Sequence, residues 1–189
     1  YVSFNVGNVT PGDDAVKDFD DSVLFYGANL RLPVSSYVDI IANAGQAKMS
    51  GEFPVYYPYY YRTYYTEADG TSTSVGGGVQ IHFFPTEIVD PYLGVGFLWN
   101  QIEFDTLVES TDDDDTSIVA GGGLEISANE KVSINVGVSY QGEMYDEDEI
   151  LGDVGLNVWV NSFLLLAFSA EYGFNSEDFS VSGGLGIGF

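Results

Sequence analysis

The chain has 189 residues, with 29 acidic side chains against 5 basic ones, a formal charge of −24 and a pI near 4.1. So few scattered positive charges cannot neutralise a phosphate backbone, which excludes nucleic-acid binding, and the absence of Cys removes disulfides, thiolate metal sites and thiol nucleophiles. Acidic disorder is excluded by 14 Tyr, 13 Phe and a mean hydropathy of +0.04, and a spanning helix by the shortness of the longest apolar run, Phe163 to Phe168.

Period-two alternation runs almost everywhere and predicts ten strands in a single domain, residues 1–189. The chain opens at Tyr1, which implies a removed targeting segment or a late start. A short first strand spans 1–9, and an acidic stretch, 10–20, follows it. Strands at 21–32 and 37–49 flank the turn Pro33–Ser36, and residues 50–70 then form a long loop. Strands at 71–84 and 91–104 flank the turn Pro85–Asp90. In the first of these, Val75, Val79, Ile81 and Phe83 oppose Ser74, Gly76, Gly78, Gln80 and His82. In the second, the alternation changes phase near Asn100–Gln101, which suits a β-bulge.

An acidic loop, 105–115, leads to strands at 116–127 and 132–145 around the turn Ala128–Lys131. Strands at 150–160 and 163–174 flank Asn161–Ser162, and the last strand covers 179–189. Links after odd-numbered strands are therefore long or acidic, and links after even-numbered strands are tight. Long loops at one end and short turns at the other characterise an up-and-down transmembrane β-barrel, and they put both termini on the turn side. The polar strand faces are mainly Gly, Ser and Asn with few charges, unlike the outward face of a soluble acidic sandwich.

On these residues the chain resembles the bacterial outer-membrane β-barrel family, the small porin-like and OmpA-like barrels. The resemblance lies in the terminal Gly184-Leu185-Gly186-Ile187-Gly188-Phe189 and in Asp90-Pro91-Tyr92-Leu93-Gly94-Val95-Gly96-Phe97. It implies an all-β, up-and-down antiparallel barrel embedded in outer-membrane lipid; the ten strands read from the alternation depart from the smallest relatives, which have eight, the alternative count. It also implies that Phe189 is an assembly signal read by the barrel assembly machinery. Loops are then extracellular and termini periplasmic.

The loops after odd-numbered strands hold −18 of the −24 charge, leaving the strands nearly neutral. Such a crown suits cations or basic partners, and the run Asp112, Asp113, Asp114, Asp115 is a candidate Ca or Mg ligand set, although it lacks the spacing of a dedicated calcium loop. Inside the barrel, alternation places Arg31, Asp39, His82, Glu125, Glu143, Asp153 and Glu171. Arg31 and Asp39 flank the first turn and are expected to pair. Glu143, Asp153 and Glu171 are expected near the loop-side ends of consecutive strands, as an acidic vestibule favouring cations. His82 is the single His and sits near the turn end, which fits a luminal hydrogen-bonder better than a catalytic base.

The stretch 53–65 holds Tyr56, Tyr57, Tyr59, Tyr60, Tyr61, Tyr64 and Tyr65 with two prolines, which argues against a regular strand there. It reads as a loop for a surface protein or glycan partner, or as part of an aromatic girdle. The leading functional expectation is a narrow porin-like channel passing small polar or cationic solutes by passive diffusion, without catalysis. The alternative is a closed structural barrel displaying acidic and Tyr-rich loops to a partner, glycan or surface.

Overall fold

The computed structural model describes the backbone of residues 1–10, 23–57, 62–106, 110–144 and 147–188, and the side chains of these except 49–68, 104–113 and 143–147. Ten strands form one closed antiparallel barrel in which each pairs with its neighbours in sequence and β1 pairs with β10. They are β1 (Val2–Thr10), β2 (Val23–Ser35), β3 (Val38–Tyr57), β4 (Arg62–His82), β5 (Val89–Thr106), β6 (Ser110–Asn129), β7 (Val132–Met144), β8 (Glu147–Trp159), β9 (Leu164–Gly173) and β10 (Phe179–Ile187).

The barrel is apolar outside. Phe4, Leu24, Ile40, Val79, Leu93, Val95, Phe97, Val138, Val154, Phe168 and Leu185 are exposed, whereas Val23 and Leu165 are the buried hydrophobics among the described residues. Buried side chains are instead polar: Ser3, Asp39, His82, Asp90, Asn100, Ser117 and Gln141. Burying charges in a shell that exposes Phe and Leu is unfavourable in water but is what hydrocarbon selects. Tyr26, Tyr140 and Tyr172 on the loop side, with Tyr37, Phe83, Phe84 and Phe163 on the turn side, are exposed aromatics bordering this band.

Short turns are fixed by side chains that accept from backbone N–H groups: Asn129 from Lys131 at 2.8 Å, and Asn161 from Phe163 and Leu164 at 3.0 and 2.8 Å. The opposite end differs from the sequence expectation. β3 to β6 are 18 to 21 residues long, so the expected loops 50–70 and 105–115 are largely strand, as is most of 146–149. At roughly 3.3 Å per residue and a tilt near 40°, a nine-residue strand rises about 23 Å and a twenty-residue strand about 50 Å. The wall is therefore lopsided, with β1, β9 and β10 at its low side.

Pro54 lies within β3, contrary to the expectation that proline breaks the strand. Among the described residues the β2 ladder ends at Leu24↔Lys48, so this part of β3 has no described partner on the β2 side, and an edge is where a strand accepts proline. There is also no bulge at Asn100–Gln101; the β4–β5 register runs unbroken from Ala68↔Thr106 to His82↔Tyr92. The alternation changes because the outward face of β5 leaves hydrocarbon beyond Trp99, where Gln101 and Glu103 take over. Register shifts occur instead between Pro33 and Ser35, Ser127 and Asn129, and Gln141 and Met144.

Candidate functional site

The lumen holds two adjoining cavities of about 500 and 520 Å³ that share Ser74, Gln141, Leu151 and Glu171 in their walls. One reaches the loop side at Asp148, Glu149 and Asp178; the other descends to Gln80 and Tyr92 near the turn side. Space exists partly because inward positions are glycine. A Cβ on Gly78 would come within 2.5 Å of the Val95 carbonyl oxygen, and one on Gly121 within 2.7 Å of Val138 O, so neighbouring strands close tightly there. A ten-stranded barrel is also slightly wider than one that side chains just fill.

Below Tyr92 lies an ionic network built from five strands, β2 to β6. Arg31 on β2 donates from Nε to Asp39 Oδ2 on β3, and its Nη2 lies 3.0 Å from Glu125 Oε2 on β6 and 3.0 Å from His82 Nε2 on β4. His82 Nδ1 is 2.6 Å from Asp90 Oδ2 on β5, and His82 Nε2 is 3.3 Å from Asp39 Oδ2. Asp90 Oδ1 accepts from the backbone N–H groups of Phe83 and Phe84 at 3.1 and 2.8 Å, which anchors the network to the β4–β5 turn. Since Arg31 can only donate, His82 Nε2 accepts, and the imidazole proton resides on Nδ1 facing Asp90. Beside this network Tyr1 packs edge-on against Trp159 with ring centroids 6.0 Å apart, next to the fully buried Leu165. The turn-side end is thus narrowed by charge pairs on one side and by apolar groups on the other.

Higher up, Asp153 and Glu171 face one another across the β8–β9 ladder and line the first cavity. Neither cavity wall contains a Lys or Arg, and among the described residues Arg31 is the one luminal basic side chain. Asp153 sits at the midpoint of β8, opposite Gly137 on β7, so it is not near the loop-side end as expected; strand stagger separates it from the Glu143 position. The side chain of Glu143 lies outside the described residues, as do those of the tyrosines at 56, 57, 59, 60, 61, 64 and 65, and Phe189.

Sequence reasoning missed three luminal groups. Asp90 was read as turn charge, yet the outward set Leu93, Val95 and Phe97 fixes its parity, and that of Tyr92, as inward. Glu149 falls in the acidic link between the strands read at 132–145 and 150–160. It accepts from Asn175 N and Ser176 N, both at 3.0 Å, and so ties the β9–β10 connection to β8. The acidic run lies on β6, where Asp114 and Asp115 stand opposite Gln101 and Asn100 on alternate faces, and the side chains of Asp112 and Asp113 lie outside the described residues. Asp114 accepts from Trp99 Nε1 at 3.3 Å. No group of three or more potential ligands capable of holding a metal occurs among the described residues.

A closed antiparallel barrel with an apolar exterior, aromatic borders and a polar lumen defines an outer-membrane β-barrel. The model for the Outer membrane protein beta-barrel domain matches residues 1–165, and the chain belongs to that family, whose place is the bacterial outer membrane. Among solved structures, the translocator domain of the autotransporter NalP from Neisseria meningitidis is similar, with a TM-score of 0.58 at 11% identity, over 100% of this chain and 86% of that one. The attachment invasion locus protein Ail of Yersinia pestis, in complex with the heparin analogue sucrose octasulfate, gives 0.50 at 15% identity over 98% and 95%. The transport unit of the autotransporter AIDA-I from Escherichia coli gives 0.52 at 9% identity over 100% and 89%. At these identities the likeness is one of fold alone. A comparison with curated proteins found no match.

Proposed function

We propose that the protein is a narrow porin-like channel for small polar or cationic solutes, filled from the loop side and limited at the turn side by the Arg31 network. The observation that carries this reading is a hollow lumen lined by Asp153 and Glu171, with no Lys or Arg in either cavity wall. Facing carboxylates repel each other and so favour a cation between or beside them. Transit is passive: a solute exchanges water for Asn, Gln and carboxylate oxygens, then passes the network when its charge pairs rearrange. In this reading the acidic loops are extracellular and concentrate cations at the mouth.

Planar-bilayer recordings of the purified barrel test it. Cation-selective conductance is expected, and Asp153→Asn with Glu171→Gln should reduce the selectivity while the barrel remains folded. No conductance, or selectivity unchanged by the double substitution, refutes the channel. A second reading, display of the tall β3–β6 wall and its tyrosines to a protein or glycan partner, is favoured by the height of those strands above β1, β9 and β10. Deleting residues 54–65 should then abolish surface binding without unfolding the barrel. Binding of a sulfated ligand is opposed by the net charge of −24.

A further inference from the structure

We propose that His82 is a proton-operated latch on the luminal floor: proton uptake at Nε2 detaches Arg31 from the β3–β4 side, moves it toward Glu125 and widens the passage. The proposal rests on the channel reading above and adds its control.

The argument is one of donors and acceptors. Arg31 has three acceptors, Asp39, His82 Nε2 and Glu125, the last two each 3.0 Å from the same Nη2. The His82 contact exists only while Nε2 is unprotonated, because guanidinium carries no lone pair to offer. Nδ1 cannot take a further proton, since it already holds one toward Asp90 at 2.6 Å, and Asp90 is itself held by two backbone N–H groups. The incoming proton therefore has one place to go. Once Nε2 bears it, two like-charged donors face each other 3.0 Å apart. The nearest acceptor for the new N–H is Asp39 Oδ2 at 3.3 Å, the atom that Arg31 Nε uses.

Arg31 thus loses one acceptor outright and shares a second, while Glu125 on β6 remains its own. Other charged or titratable groups around the ring are Tyr92 on β5, with ring centroids 6.1 Å apart, and Asp153 beyond it on β8; on β1, Tyr1 N donates to the Arg31 carbonyl at 2.8 Å. Among the described residues, none of them makes a hydrogen bond or ion pair with Nε2. His82 and Asp39 are both buried, so bulk water does not substitute for the lost bond.

The chain has a single His, so selective ¹⁵N-histidine labelling gives one imidazole whose two nitrogens report its tautomer directly. At the high end of a pH titration the ring should carry its proton on Nδ1, and as the pH is lowered on both nitrogens, with the Arg31 guanidinium signals shifting in step. Bilayer conductance of the same protein should rise several-fold over the same titration. His82→Gln should remove the rise while keeping the heat-resistant folded form, and Glu125→Gln, which weakens the destination of Arg31, should reduce it. An Nε2–H tautomer at high pH, or ring titration without any Arg31 response, overturns the latch. Conductance that rises equally in His82→Gln overturns it also. If ring and Arg31 switch together in a barrel that conducts at no pH, the latch stands and the channel reading falls.

Discussion

Replacing Arg31 by Met removes the one cation from a cluster that also contains Asp39, Asp90 and Glu125. With His82 neutral, the cluster then changes from two uncompensated carboxylates to three. Breaking a buried pair in this way costs about 3–5 kcal/mol, because the partner stays buried and unpaired. The side chains of Arg31 and Glu125 are 20% and 21% exposed, so water relieves part of that cost, whereas Asp39 at 9% obtains little relief. The expected loss is about 3 kcal/mol, near the low end of the range. Urea unfolding of the barrel in lipid vesicles, followed by Trp fluorescence and by the heat-modifiable gel shift, measures it. Adding Asp39→Asn should recover at least about 1 kcal/mol, since the pair is coupled. An Arg31→Met loss below about 0.5 kcal/mol would show that the network is not a supporting element.

Three further outcomes follow from the geometry. Val95→Arg places a charge on the lipid face of β5 near the middle of its apolar run and should cost about 2–4 kcal/mol, while Ser74→Lys, in the wall of both cavities, should cost far less; vesicle unfolding distinguishes them. A Cβ at Gly123 would meet the Val136 carbonyl, and the Tyr92 hydroxyl at 2.6 Å, so Gly123→Ala should lose about 1–3 kcal/mol in the same assay by parting β6 from β7. Glu177 has φ of 58° in the β9–β10 connection, and Glu177→Gly there should gain about 0.5–1 kcal/mol, read as a higher urea midpoint.

How far the architecture could be read from sequence depended on where each residue meets lipid. In β7, Val132 to Tyr140 alternate cleanly because one face touches hydrocarbon and the other the lumen, so strand and orientation were both legible. Above the aromatic border both faces of β3 to β6 are wet, the alternation fades at Gln101 or Thr71, and strand was mistaken for loop. Arg31 and Asp39 were legible as a pair because only a short turn lies between their strands. The remaining partners, His82, Asp90 and Glu125, come together only through barrel closure and strand stagger, neither of which is visible locally. Asp90 was further disguised by Pro91, which drew the reading toward a turn.

The β1–β10 ladder carries a kinetic consequence. Every other pairing joins neighbours along the chain, but Val2↔Ile187 joins its two ends. Loop-closure entropy grows only logarithmically, so roughly four doublings of length beyond a hairpin cost about 2.4 kcal/mol, which nine paired positions easily offset. Delay is the larger effect. Until the last strand exists, hairpins can add to a growing sheet whose two margins are unpaired, the state most prone to joining another copy of itself. Mutual repulsion between chains of charge −24 acts throughout that interval. The acidic residues thereby protect the molecule before it is a barrel at all.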